Sequence, residues 1–218
     1  MPALIDLSHA VEHGMVTYKG LPAPIICDFL THEASKKKYN EETTVHIGKI
    51  EMVANTGTYV DAPFHRYADG KDLSELPLES LVDLEGLVFH AHAQANGPEL
   101  FAGADVKGKA VLVHTGWSRH WRTEQYFEGH PYLTEAAALW LKAHGAAFVG
   151  IDSLNIDAIA ATGYRPVHTL LLGADIPICE HMCNLQQLPD SGFRFHAAPV
   201  KVRGMGTFPV RAYAVLPG

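Results

Sequence analysis

Asn55-Thr56-Gly57-Thr58-Tyr59-Val60-Asp61-Ala62-Pro63-Phe64-His65 is the stretch whose reading decides the fold. Gly57 permits unusual dihedrals and close backbone approach, and Pro63 fixes φ, so a strand is expected to run into a rigid turn here. Asp61 and His65, a carboxylate and an imidazole, lie four positions apart on it. Polar side chains held on a rigid turn can converge on one point, as metal ligation or acid–base chemistry requires. From the residues alone, an Asp before Ala62-Pro63 serves equally well to cap its own turn.

Upstream, Val45, Ile47, Lys49, Glu51 and Val53 alternate with Thr44, His46, Gly48, Ile50 and Met52. This pattern predicts a long, partly buried strand over residues 44–53 that delivers the 55–65 segment. Residues 32–43, with the basic run Lys36-Lys37-Lys38, are polar and read as a solvated loop or lid. Strands are expected over residues 4–8 and, after the turn at 20–24, over 25–29. Downstream, residues 87–92 and 109–114 read as buried strands. Thr134 is placed to cap a helix over 135–144, with Glu135 suited to its dipole and Gly145 placed to end it. A strand over 147–152 follows at once, giving a helix–strand unit of an α/β protein. A short helix over 165–172, a strand over 176–180, and closing strands over 198–202 and 210–216 complete a strand-rich α/β chain.

At 218 residues and 47% hydrophobic, the chain can bury a full core, and no linker or repeat divides it, so one domain over 1–218 is expected. A net charge of −7 gives no electrostatic reason for nucleic acid or an anionic membrane as partner. No apolar run approaches the roughly 18 residues of a membrane span, and no leader pattern is evident. Cys27, Cys179 and Cys183 are odd in number and lack Cys-x-x-Cys spacing, which points to free thiols in a reducing cytosol. Fourteen histidines raise the expectation of a site.

The segment Thr56-Gly57-Thr58-x-x-Asp61-Ala62-Pro63-x-His65 resembles the signature of the cyclase/arylformamidase family, metal-dependent amidohydrolases whose pattern is His-x-Gly-Thr-His-x-Asp-x-Pro-x-His. Ile5-Asp6-Leu7-Ser8-His9, Thr115-Gly116-Trp117, Gly150-Ile151-Asp152, His168-x-x-Leu171-Leu172 and Glu180-x-x-x-Asn184-Leu185 are similar to its other motifs, in the same order. The chain departs from the pattern at Asn55 and Tyr59, which stand where the family has metal-binding histidines. The resemblance implies a swivelling β/β/α fold, hydrolysis of an amide, lactam or ester bond of a small molecule, and homo-oligomers, a homodimer being the simplest.

It also implies a ligand set. Asp61, His168 and Glu180 match family residues that bind metal, whereas an amide and a phenol are poor substitutes for imidazoles. One divalent ion, zinc or manganese, is therefore expected where relatives can hold two. The two carboxylates would cancel the ion's charge and leave its water less acidified, so a separate base matters. His65 is the residue type for that task, with metal ligation or polar packing as its alternatives. Asn55 and Tyr59 are expected either to orient substrate and steady an oxyanion or merely to fill the vacated site. Tyr18, Phe64 and Trp117 are candidates for an apolar substrate wall, aromatic residues being core elsewhere. His181, next to Glu180 on a strand, is expected to point away from the metal. Two other readings remain: a metal-free isomerase or lyase using His65 and Tyr59, and a non-catalytic binder of small molecules.

Overall fold

The computed structural model describes residues 2–40, 42–159 and 161–218. In chain order the strands are β1 (Ala3–Asp6), β2 (Ile25–Leu30), β3 (Ile47–Glu51), β4 (Tyr59–Asp61), β5 (Leu84–His90), β6 (Ala95–Asn96) and β7 (Ala110–His114). There follow β8 (Tyr132–Leu133), β9 (Phe148–Ile151), β10 (Ile178–Glu180), β11 (Phe193–His196), β12 (Thr207–Pro209) and β13 (Tyr213–Leu216). The α-helices are α1 (His32–Lys36), α2 (Glu135–Ala143) and α3 (Pro166–Leu172).

Nine of these strands form one mixed sheet, in the order β1-β13-β11-β5-β7-β9-β10-β4-β12. Its centre, β5 to β10, is parallel, and the flanks are antiparallel. The chain is an α/β protein, as expected. Along β7 the side chains alternate between two cores: Ala110 and Leu112 join one cluster with Phe148, Phe193 and Phe195, while Val111 and Val113 join the other with α2 and α3. Parallel strands buried on both faces read as continuous apolar runs, which is why residues 109–114 were legible as a strand. Thr134 caps α2 through the Ala137 amide, and Gly145 follows with φ of +71°. No helix among the described residues is long and apolar enough to cross a membrane.

Three expectations are corrected. The strand predicted over 44–53 is only Ile47–Glu51, lies outside the large sheet, and pairs with β2 in a two-stranded ribbon exposed along its length. Alternation identified an extended segment but not its partner. Residues 32–43 begin with α1, capped by the Thr31 hydroxyl on the Ala34 amide. Residues 198–202 form no strand; the last antiparallel strands are β11, β12 and β13, because β12 pairs with β4 rather than continuing the other flank.

β4 sits between β10 and β12. Its register places Glu180 opposite Tyr59, and Ile178 and Thr207 opposite Asp61. The turn after β4 is pressed against the loop before β12, where the Ala62 amide donates to the Gly206 carbonyl at 2.7 Å. A Cβ on Gly206 would lie 2.3 Å from the His65 amide nitrogen, so no larger residue fits there without moving the turn.

Candidate metal centre

Tyr59 and Asp61 are two apart on β4 and share a face, while Val60 enters the core. Asp61 is completely buried. Thr207, opposite it on β12, donates its hydroxyl proton to Asp61 Oδ1 and lies 2.9 Å from His65 Nδ1. A hydroxyl has one proton, and an ionised carboxylate only accepts. The Thr207 oxygen therefore accepts from His65 Nδ1–H, and the other nitrogen of a neutral ring, Nε2, carries the lone pair. Thr207 sets the tautomer that a base at His65 needs.

His168 is brought to the cluster by the first turn of α3. Its Nδ1 donates to Asp157 Oδ2 at 2.7 Å, and Asp157 also accepts from the Val167 and His168 amides. That leaves His168 Nε2 directed at two carboxylates, 3.6 Å from Asp61 Oδ2 and 3.6 Å from Glu180 Oε1. A ligating histidine tied through its other nitrogen to a carboxylate is the usual arrangement at protein metal sites. Glu180 ends β10 with Oε2 accepting from the Tyr59 hydroxyl at 2.7 Å and Oε1 from the Ile156 amide at 2.6 Å.

The donor set fits a divalent cation. Asp61 Oδ2 is buried with no hydrogen-bond partner, an unfavourable state for a carboxylate oxygen unless something positive faces it. Ligand atoms of Asp61, His65 and His168 lie within 4.8 Å of one another, a grouping that takes in His65 and leaves out Glu180, whose Oε1 is instead 3.6 Å from His168 Nε2. Protonation tells the same story. Burial opposes charge on His168, but Glu180, Asp157 and Asp61 outweigh it and push its pKa up to about 10. Burial, with the Asp61 carboxylate, raises Glu180 to about 7 against the pull of His168. Asp61 is held below the usual range despite burial, because His168, His65 and Thr207 favour its charge. The cluster thus retains positive charge as an imidazolium, in the place a cation would take.

A cavity of about 240 Å³ opens above these groups, lined by Tyr18, Leu21, Asn55, Tyr59, His65, Asn155, His168 and Glu180. Asn55 and Tyr59 therefore face it together, and Tyr18 lines it with its hydroxyl oxygen accepting from Asn155 at 3.1 Å. Burial, Glu180 and Asp61 drive the Tyr59 pKa well above its ordinary value, so the phenol stays protonated and donates to Glu180.

Phe64 and Trp117 are not among the lining residues. Phe64 projects from the turn Pro63–His65 and is exposed, and the Trp117 indole N–H donates to the Tyr126 carbonyl. His181 is fully buried in a packing role, outside both the ligand cluster and the cavity lining. A φ of +54° directly after β10 turns its ring back toward Glu180's side, and its Nε2 lies 3.3 Å from the Tyr59 hydroxyl. Its Nδ1 lies 2.9 Å from the Tyr126 hydroxyl. Burial, with a smaller contribution from His9, lowers its pKa to about 3, keeping the ring neutral.

Sequence reasoning missed Asn155, Asp157 and Thr207. The first two sit in an irregular segment just beyond the Gly150-Ile151-Asp152 motif, and Thr207 is reached only through strand pairing. Asp152 itself holds no candidate ligand. It accepts from the Thr115 amide and hydroxyl and the Gly116 amide, joining two motifs at the ends of adjacent parallel strands.

Among known proteins, kynurenine formamidase of Bacillus cereus (strain ATCC 14579) is 27% identical over 209 residues, 95% of each chain. Kynurenine formamidase of Geobacillus thermodenitrificans is 28% identical over 174 residues, covering 79% of this chain and 81% of the other. A solved structure described as a potential metal-dependent hydrolase with cyclase activity superposes with a TM-score of 0.81 at 25% identity, over 100% of both chains. Isatin hydrolase A from Labrenzia aggregata, bound to benzyl benzoate, shares the fold with a TM-score of 0.83 at 22% identity, over 100% of this chain and 94% of that one. Residues 5–158 match the model of the cyclase family, described as "Putative cyclase", and the chain belongs to that family.

Proposed function

We propose that this chain is a metal-dependent hydrolase that opens an amide, lactam or ester of a small molecule. The observation that carries the reading is the buried, partnerless Asp61 Oδ2 facing His168 Nε2. Asp61, His168 and Glu180 would hold one divalent ion, zinc or manganese. When bound, the ion would polarise the scissile carbonyl and orient the attacking water. His65, its Nδ1–H held by Thr207, takes the water's proton on Nε2 and returns it to the leaving group. Asn55 faces the same cavity and is assigned to the developing oxyanion. Tyr59 donates a hydrogen bond to Glu180 and so steadies that ligand, with His181 and Tyr126 fixing the phenol behind it. The relatives' names, kynurenine formamidase and isatin hydrolase, support amide C–N bonds as the target.

We assign the whole of residues 1–218 to one catalytic domain, working in the cytoplasm as a homodimer. Three free thiols suit a reducing compartment. Ile25, Ile26, Phe29, Ile47 and Ile50 are exposed on the β2–β3 ribbon, and a lone two-stranded ribbon needs a partner surface for stability. Sedimentation of the purified protein tests the dimer.

The function is tested by elemental analysis of protein purified without chelator, with an activity screen across arylformamides, cyclic amides and lactones. Stoichiometric zinc or manganese, and hydrolysis lost on chelation and restored by the ion, are expected. Full activity after exhaustive chelation would instead favour acid–base isomerisation or elimination by His65 and Tyr59. Thermal stabilisation by small molecules without turnover would favour a binding protein.

A further inference from the structure

The cavity over the metal cluster does not end at His168. A second lobe of about 120 Å³ is lined by His65, Arg66, Asn155, Arg165 and His168, three of which also line the first. The two lobes thus meet at the candidate base and a candidate ligand, and the second differs from the first in carrying two guanidinium groups.

Each guanidinium is held in place by neutral oxygens. Arg66 Nε donates to the Thr169 hydroxyl at 3.0 Å, and Thr169 follows His168 on α3. Arg165 Nη1 donates to the Ala158 and Tyr164 carbonyls, both at 3.1 Å. Three other arginines of this acidic chain are ion-paired, Arg122 with Glu12, Arg194 with Asp83 and Arg211 with Asp6, while Arg119, like Arg66 and Arg165, bonds only to neutral groups. Arg66 and Arg165 have no carboxylate within ion-pair distance among the described residues. Both Nη atoms of Arg66, and Nε and Nη2 of Arg165, make no hydrogen bond to the described protein. A planar guanidinium anchored at one edge presents its remaining donors in a geometry that matches a carboxylate.

We propose that Arg66 and Arg165 form an anion subsite that binds a carboxylate carried by the substrate a few bonds from its scissile carbonyl. The substrate class is then a carboxylate-bearing amide, its reacting carbonyl over Asp61 and His168 and its charge in the smaller lobe. That lobe accommodates a carboxylate on a short stem beside the two guanidinium groups, and the wall made by Tyr18 and Leu21 suits the ring. This assignment rests on the hydrolase reading and deepens it.

The test compares formanilide with its ring-carboxylated counterpart, 2-formamidobenzoate, on the metal-loaded wild type and on Arg66→Met, Arg165→Met and the double variant. The wild type should prefer the carboxylated substrate in kcat/KM. That preference should fall by roughly 10- to 100-fold in each single variant, through KM, the range expected for losing hydrogen bonds to a charged group. Arg165→Lys should recover only part of it, since the charge returns without the fork. An unaltered preference in the double variant would overturn the subsite. Calorimetric titration with benzoate separates this outcome from failure of the hydrolase reading. Benzoate binding weakened in the double variant, without turnover of any amide by the wild type, would retain the subsite and reject the hydrolase. Binding of equal strength in both proteins would reject the subsite.

Discussion

Asp61 and Asp152 invite comparison. Both are completely buried carboxylates at strand ends of the same sheet, and both belong to sequence motifs of the family. Asp152 has each oxygen occupied by donors from Thr115 and Gly116, which clip β7 to β9. Asp61 has one oxygen held by Thr207 and the other facing His168 with no partner. Their protonation diverges accordingly. Burial dominates at Asp152 and raises its pKa, while the rings of His168 and His65 hold Asp61 down. Burial of a charge therefore does not by itself mark a site. A buried charge left incompletely satisfied does.

Substitution sharpens this contrast, beginning with the largest effect. Asp61→Asn should abolish metal uptake and turnover together, whereas Asp152→Asn should keep its metal; elemental analysis of both proteins is decisive, and stoichiometric metal in Asp61→Asn would break the comparison. His65→Ala should lower kcat by about 10²–10⁴ with metal content intact, as for loss of a general base. Metal lost from that variant would make His65 a ligand. Asp157→Asn, which loosens the ring of His168 without touching the ion, should weaken metal affinity by about 10- to 100-fold in competition with a chelator. Asp152→Asn should destabilise the fold by about 1–3 kcal/mol in urea unfolding, the range for an unsatisfied buried donor or acceptor.

Acid and base supply a further test. A proton and the ion compete for His168 Nε2, and the ring's folded-state pKa is near 10. Apparent metal affinity should therefore climb with pH, by up to about tenfold per unit between pH 7 and 10 where His168 alone gives up a proton, and flatten toward pH 10. Below pH 7, where Glu180 also gives up a proton, the climb should be steeper. Calorimetry in buffers of different ionisation enthalpy counts the protons released. His9 and His181 have the opposite sign, since burial lowers them to about 4 and about 3. The unfolded chain, with histidines near 6.5, binds their protons first, so their contribution is present above pH 6.5 and is lost as pH falls through 4 toward 3. Thermal melts across that window should show the decline in both the metal-free and the loaded protein.

Legibility divided along the same lines. Asp61 and His65 could be read together because a strand and a proline-stiffened turn keep residues four apart close in space. His168 and Glu180 were found only through resemblance, since nothing local joins α3 and β10 to β4. Thr207, Asp157, Asn155 and the two arginines of the smaller lobe carry no local signal. That His181 contacts the Tyr59 hydroxyl was not legible, because alternation assumes extended backbone and one left-handed residue ends it.

The sequence by itself determined the α/β class, the helix capped by Thr134, the buried central strands and the Asp-Ala-Pro-x-His turn, because propensity, capping and hydrophobic period act over a few residues. Only the tertiary structure decided that the residue 47–51 segment leaves the sheet, that Thr207 orients His65, and that one carboxylate oxygen is left bare. Those facts depend on which strands pair and in what register, and pairing joins residues more than a hundred positions apart through contacts that no local pattern encodes.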